Sequence, residues 1–200
     1  MARVEFFFDC SSPWTYLAFD RIGPICEAAG AELVWRPILV GGIFNTVNQA
    51  VYEQRENPHP LKSVYAAKDL QDWARYQGLK IGRPPIFPVR AVKPMRGAYV
   101  ALDHGLLPTY ARAVFEAYWG DFEDIADDSV LAAVCDRIGL DRDAFFDGIT
   151  SDGVKSRLRQ ATEEVMARGG FGSPTIFIND TDIYFGNDRM PLIADALARA

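Results

Sequence analysis

The chain has 200 residues, of which 49% are hydrophobic, 12% aromatic and 24% charged, enough apolar material for one large domain or two small ones. Intrinsic disorder, collagen-like repeats and a disulfide-stapled miniature fold are excluded by that composition. With 21 basic against 27 acidic residues, a net charge of −6 and no basic run, a surface that neutralises nucleic-acid phosphates is not expected.

Val4 to Phe8 is a short, Phe-rich apolar run ended by Asp9, and it reads as a buried strand. Pro13 suits a first helical turn. Trp14, Leu17, Ala18, Ile22 and Ile25 then recur at helical spacing until Gly30. A second strand follows over Glu32 to Pro37, and the short crossover implies that the two strands are parallel. From Leu61 to Gly78, the residues Val64, Tyr65, Leu70 and Trp73 predict an amphipathic helix. Pro84, Pro85, Pro88 and Pro94 predict a constrained loop over 84–94. Further helices are expected over about 95–104, 108–119, 128–138, 141–148 and 152–168. After Gly169-Gly170-Phe171-Gly172 the pattern returns to strands. Thr175 to Ile178 and Ile183 to Phe185 suit a hairpin around Asn179-Asp180, and Asn187 or Asp188 can cap a last helix through Leu192, Ile193 and Leu197. The order is β-α-β, a helical block, then β-β-α, an α/β architecture. With no repeat, low-complexity segment or flexible linker, the block and its frame are expected to pack as one body.

No apolar stretch approaches the ~18 residues of a membrane helix, so no membrane association is expected. The opening residues carry only three consecutive apolar side chains before Asp9, too few for a signal-peptide core. Cys10, Cys26 and Cys135 are odd in number and widely spaced, which fits a cytoplasmic protein and argues against a disulfide framework or a zinc site. His59 and His104 have no partner at ligand spacing, so no metal is expected. A Ser-His-Asp hydrolase lacks its G-x-S-x-G, and no nucleotide-binding glycine loop is present.

The densest group of chemically capable residues is Asp9-Cys10-Ser11-Ser12-Pro13-Trp14-Thr15-Tyr16, where the first strand ends and its helix begins. A helix start presents unpaired N–H groups and a positive dipole end, which favour an anion with a hydroxyl beside it. The same serines serve equally well as an N-cap that satisfies the first-turn amides.

Ser12-Pro13-Trp14-Thr15-Tyr16-Leu17-Ala18 resembles the thioredoxin-superfamily active-site turn with Cys-x-x-Cys replaced by Ser-Pro-x-Thr. Phe171-Gly172-Ser173-Pro174-Thr175-Ile176-Phe177-Ile178-Asn179, followed by Tyr184-Phe185-Gly186-Asn187-Asp188-Arg189, resembles the segment that carries the cis-proline of that superfamily. With Trp35 to Gly42 and Asp69 to Arg75, the match spans nearly the whole chain. It is similar to the 2-hydroxychromene-2-carboxylate isomerase family, related to DsbA proteins and kappa-class glutathione transferases. The resemblance implies a thioredoxin-like fold with a large all-helical insertion, residues 1–40 and 170–200 forming a discontinuous thioredoxin-like domain and 41–169 the inserted helical domain. It also implies a glutathione-dependent isomerase that converts 2-hydroxychromene-2-carboxylate to trans-o-hydroxybenzylidenepyruvate by reversible thiolate addition, with a homodimer as the expected assembly.

By position, the resemblance makes Ser12 the residue that contacts the glutathione sulfur. Pro13, Asn48, Ser173, Pro174, Asn187 and Asp188 fall at the glutathione site, and Pro174 is expected to be cis. A hydroxyl donor at a helix start lowers a thiol pKa from about 8.5 and so enriches the thiolate. Trp14, Phe44 and Phe87 are candidates for an aromatic substrate wall, or for plain core. Many relatives carry Lys where Asn45 stands and Asn-Thr where Arg90-Ala91 stands; Arg90 is expected to pair with a substrate carboxylate, or else to be a solvated surface residue. A kappa-type transferase or peroxidase that consumes glutathione, and a non-catalytic glutathione-binding protein, are the alternatives. A disulfide oxidoreductase is disfavoured because Ser12 and Thr15 replace both cysteines.

Overall fold

In a computed structural model of the protein, residues 1–199 are described. The chain runs β1 (Arg3–Phe8), α1 (Pro13–Ala29), β2 (Glu32–Pro37), α2 (Val40–Thr46), α3 (Ala50–Glu56), α4 (Pro60–Gln77), α5 (Val92–Asp103) and α6 (Leu107–Phe115). A π-helical turn (Glu116–Gly120) then leads to α7 (Asp128–Ile138), α8 (Arg142–Thr150), α9 (Asp152–Ala167), β3 (Thr175–Ile178), β4 (Asp182–Phe185), a 3-10 turn (Asn187–Arg189) and α10 (Met190–Ala198). The four strands form one sheet in the order β2-β1-β3-β4. β1 and β2 are parallel, Phe6 opposite Trp35, while β1–β3 and β3–β4 are antiparallel. Asn179 and Asp180 turn the last hairpin with positive φ, a conformation that these two residue types tolerate better than most.

The Phe run explains why β1 is central. Phe6 and Phe8 meet Trp35 and the α1 side, Phe7 meets Phe177 on the other face, and all three phenylalanines are fully buried. Burying each of these rings contributes roughly 1.5–3 kcal/mol. On the Phe7 face, buried Glu5 is compensated by Arg168 at 2.7 Å, Arg3 at 3.2 Å and Arg36 at 3.8 Å, and the Arg168 guanidinium lies over the Phe177 ring. A carboxylate in that position needs this company, since an unpaired buried charge costs several kcal/mol. The helices between β2 and β3 share one continuous apolar core with the sheet.

The structure departs from the sequence pattern in four places. Helices α2 and α3 lie where no helix is expected. α5 begins at Val92, so Pro94 stands in its first turn and not in the loop. In α4, Val64 and Tyr65 are 72% and 65% exposed; only Ala74 is buried, with Leu70 and Trp73 half-buried against the core, so the apolar stripe packs through its second half alone. Asn187 and Asp188 do not cap the last helix: they form the 3-10 turn, and α10 starts after Arg189 with Pro191 in its first turn and no side-chain cap. Fixed φ at Pro191 supplies the pre-organisation that a capping side chain would otherwise give.

Candidate active site

β1 delivers Asp9 to its carboxyl end, and residues 10–12 turn the chain into α1. Ser12 is extended (φ −108°, ψ 122°) and caps α1: the Thr15 N–H donates to its Oγ at 3.3 Å, and its own hydroxyl donates to the Ser173 carbonyl at 3.2 Å. The capping role is therefore realised, by the same hydroxyl that stands at the positive end of the helix. Ser173 reaches this turn from the segment before β3. Its Oγ accepts the Asp9 N–H at 2.9 Å and pairs with the Thr15 hydroxyl at 2.8 Å. The Ser173–Pro174 peptide is cis, as is Phe87–Pro88. Among the described residues, no acceptor takes the Ser173 N–H.

Asp9 is the anchor beneath. One carboxylate oxygen accepts the Ser11 N–H and hydroxyl, both at 2.8 Å; the other accepts the Val40 N–H at the start of α2, also at 2.8 Å. Burial raises its pKa, against the lowering effect of these hydrogen bonds. Cys10 is fully buried, its N–H 3.3 Å from the Met95 sulfur and its carbonyl accepting the Trp119 indole N–H at 2.9 Å. Burial first, then the neighbouring Asp9 charge, push its thiol pKa well above the ordinary value. Cys10 is therefore no nucleophile.

Above the turn opens a cleft of about 890 Å³. Ser12, Pro13, Asn48 and Ser173 line it together with the substrate-side candidates Trp14, Phe44, Phe87 and Arg90. Asn48 sits between α2 and α3 and donates from Nδ2 to the Phe171 carbonyl at 3.0 Å, tying the inserted wall to the frame. Pro174, Asn187 and Asp188 do not line the cleft. They lie beside it, because the Gly186 N–H donates to the Pro174 carbonyl at 3.3 Å and Phe185 pairs with Thr175. Asn187 is buried with its amide nitrogen lacking a partner, and the half-exposed Asp188 carboxylate is 3.4 Å from the Arg189 guanidinium.

Residues that sequence reading missed complete the walls. Phe171 and Phe185 meet at 4.4 Å with their rings tilted on the frame side, and Asn45, Tyr52 and Arg55 line the insert side. The last two lie on α3, which has no buried residue and hence no stripe to betray it. The 22-residue span between β2 and α4 could be read only by motif, and no motif covers Arg55.

A family model for the DSBA-like thioredoxin domain matches residues 3–198. The chain belongs to this family. Within the DSBA-like family it is 30% identical, over 98% of its length and 94% of the relative's, to a 2-hydroxychromene-2-carboxylate isomerase of Pseudomonas putida. It is 27% identical to human glutathione S-transferase kappa 1, over 97% of this chain and 90% of that protein. Among solved structures, a 2-hydroxychromene-2-carboxylate isomerase superposes with a TM-score of 0.82 at 27% identity, covering 98% of this chain and 95% of the other. The chain thus joins the 2-hydroxychromene-2-carboxylate isomerase branch of the DSBA-like proteins, with kappa-class transferases as further relatives.

Proposed function

We propose that the protein is a glutathione-dependent isomerase that converts 2-hydroxychromene-2-carboxylate to trans-o-hydroxybenzylidenepyruvate. One observation carries the reading most: a serine hydroxyl, in place of a thiol, stands at the start of α1 and at the floor of an aromatic cleft. The groups present suit an extended thiol tripeptide. Ser173 offers an N–H without an acceptor, next to strand β3, where an extended backbone can pair. Asn187 offers a buried amide without a partner, and it would hold the γ-glutamyl end with Asp188. Pro13, Asn48 and Pro174 would shape the remainder of that site.

Glutathione, when bound, supplies the thiol that adds reversibly to the substrate and is recovered after turnover. The work of the chain is to hold and polarise. The Ser12 hydroxyl, now donating to the Ser173 carbonyl, turns by one side-chain torsion to donate to sulfur, and the α1 dipole adds to the stabilisation of negative charge there. Trp14, Phe44 and Phe87 flank the aromatic ring and keep water from it, with Arg90 on the substrate side. The burial of all three cysteines supports this reading over disulfide exchange.

The test is an absorbance assay on 2-hydroxychromene-2-carboxylate with and without glutathione. Turnover is expected only with glutathione, at constant free-thiol titre, and Ser12→Ala is expected to lower kcat about 100-fold or more, the usual loss of one transition-state donor. Thiol-independent turnover would rule the mechanism out. The kappa-class likeness favours a second reading, a transferase, which the same assay separates by stoichiometric loss of thiol.

A further inference from the structure

Arg55 spans the mouth of the cleft. Its guanidinium carbon lies 5.5 Å from the Phe44 ring centre on α2 and 5.4 Å from that of Phe87 on the loop before α5. Both rings are held from behind: Phe44 edge-on to Tyr52 at 6.3 Å, Phe87 against Trp119 at 6.1 Å. Trp119 in turn donates to the Cys10 carbonyl in the Ser12 turn. Among the described residues, no carboxylate lies within 4.0 Å of Arg55 and none of its N–H groups has an acceptor. Asp9 is the one carboxylate lining the cleft, and both its oxygens are engaged by Ser11 and Val40.

We propose that Arg55 is the specificity-determining residue of the cleft, anchoring the carboxylate of an aromatic substrate whose ring lies along Phe44 and Phe87; this rests on the isomerase reading of the cleft. A guanidinium is planar and always charged, and its N–H fork matches a carboxylate two bonds at a time. Two aromatic faces fix it in place, so little side-chain freedom remains to be lost when a ligand arrives. Arg90 lines the same cleft without aromatic contacts and is not pre-placed in this way. In a chain of net charge −6, two arginines without counter-ions around one cleft mark a place for an anion. The anion has two possible sources, the substrate and the carboxylates of glutathione itself, and the geometry favours the substrate because Arg55 sits between rings.

Calorimetry with 2-naphthoate, its neutral isostere 2-naphthamide, and glutathione alone tests the assignment on wild type, Arg55→Gln and Arg90→Gln. Arg55→Gln is expected to weaken 2-naphthoate binding ~10-fold or more, as the loss of a charge-assisted pair does, with 2-naphthamide and glutathione affinities within about twofold of wild type. Arg90→Gln is expected to lose less. Equal weakening of 2-naphthoate and 2-naphthamide makes Arg55 a packing residue and overturns the proposal. So does weakening of glutathione in place of 2-naphthoate, a loss carried by Arg90→Gln alone, or a wild type that does not prefer 2-naphthoate. If wild type shows no thiol-dependent turnover of the chromene yet prefers 2-naphthoate through Arg55, the isomerase reading falls while the anchor stands.

Discussion

The two walls of the cleft are built to different rules. The frame wall, from Asp9 to Thr15 and at Ser173, is a hydrogen-bond set in which the side chains of Asp9, Ser12, Thr15 and Ser173 all have partners and three of the four residues are buried. The insert wall, from Phe44 to Arg55 and at Phe87, is aromatic and half-exposed, with cation–ring and edge contacts in place of buried polar bonds. A satisfied buried network fixes atoms to within the tolerance that chemistry needs, whereas apolar contacts of partly exposed rings re-form easily. On the proposed function, the reacting group belongs on the first wall and substrate selection on the second.

The comparison breaks most visibly if the frame wall is not a unit. Ser173→Ala deprives the Asp9 N–H of its acceptor and the Thr15 hydroxyl of its partner in a buried setting, with an expected cost of about 1–3 kcal/mol in urea unfolding and a fall in kcat. An unchanged unfolding midpoint would mean that the network is ornamental. Asp9 gives a second handle. Its folded pKa is raised by burial, so the native state keeps a proton that the unfolded chain releases above about pH 3.9. The stability it contributes is therefore full below that pH and lost as pH rises through the folded value. In Asp9→Asn this pH-dependent loss is absent, so urea midpoints of wild type are expected to decline relative to Asp9→Asn between pH 4 and the folded pKa; parallel midpoints sink the idea.

On the insert wall the expected effects are smaller and of another kind. Phe87→Leu on a half-exposed ring is expected to change stability by less than ~1 kcal/mol while raising KM for aromatic substrates several-fold, since a ring–ring contact is worth about 0.5–1.5 kcal/mol. A larger effect on kcat than on KM would place Phe87 in the reacting set. The smallest expected effect is none at all. Burial raises the thiol pKa of Cys26 and of Cys135 to about 11 and holds that of Cys10 well above the ordinary thiol value, so a disulfide reagent at pH 8 should titrate no thiol until the protein is unfolded. Rapid labelling of one cysteine in the native protein contradicts this.

The contrast between the walls also marks what could be read from the sequence. β1, α1 and the β3–β4 hairpin announce themselves through a Phe run, a Ser-Pro helix start and an Asn-Asp turn, all local signals. The Ser12 turn is legible with them, whereas Ser173 is legible only through the family resemblance. α2 does not announce itself: Gly41 and Gly42 weaken its helix propensity, and it forms because Asp9 holds the Val40 N–H and Ile43 is buried. Gly42 lies so close to α9 that a Cβ there would be 3.3 Å from the Thr162 methyl. α3 has no apolar stripe and is tied by Tyr52 to Asn45 at 2.7 Å. Asn187 and Asp188 have the composition of a cap but stand one turn too early, where Gly186 (φ +101°) redirects the chain. Elements made by tertiary contact leave no period to detect, and Arg55 lies on one of them.

The two oxygens of the Asp9 carboxylate grip opposite leaves of the cleft, one the Ser11 turn and the other the first residue of α2. A single group therefore joins the two walls at their base, as a spine joins the leaves of a book, while Arg55 meets Phe44 and Phe87 at the outer edge of one leaf. Substitution at that outer edge changes the breadth of ligand admitted without altering the distance between the spine and the Ser12 hydroxyl. Variation of the outer residues can retune which molecules enter while the chemistry at the hinge stays as it is.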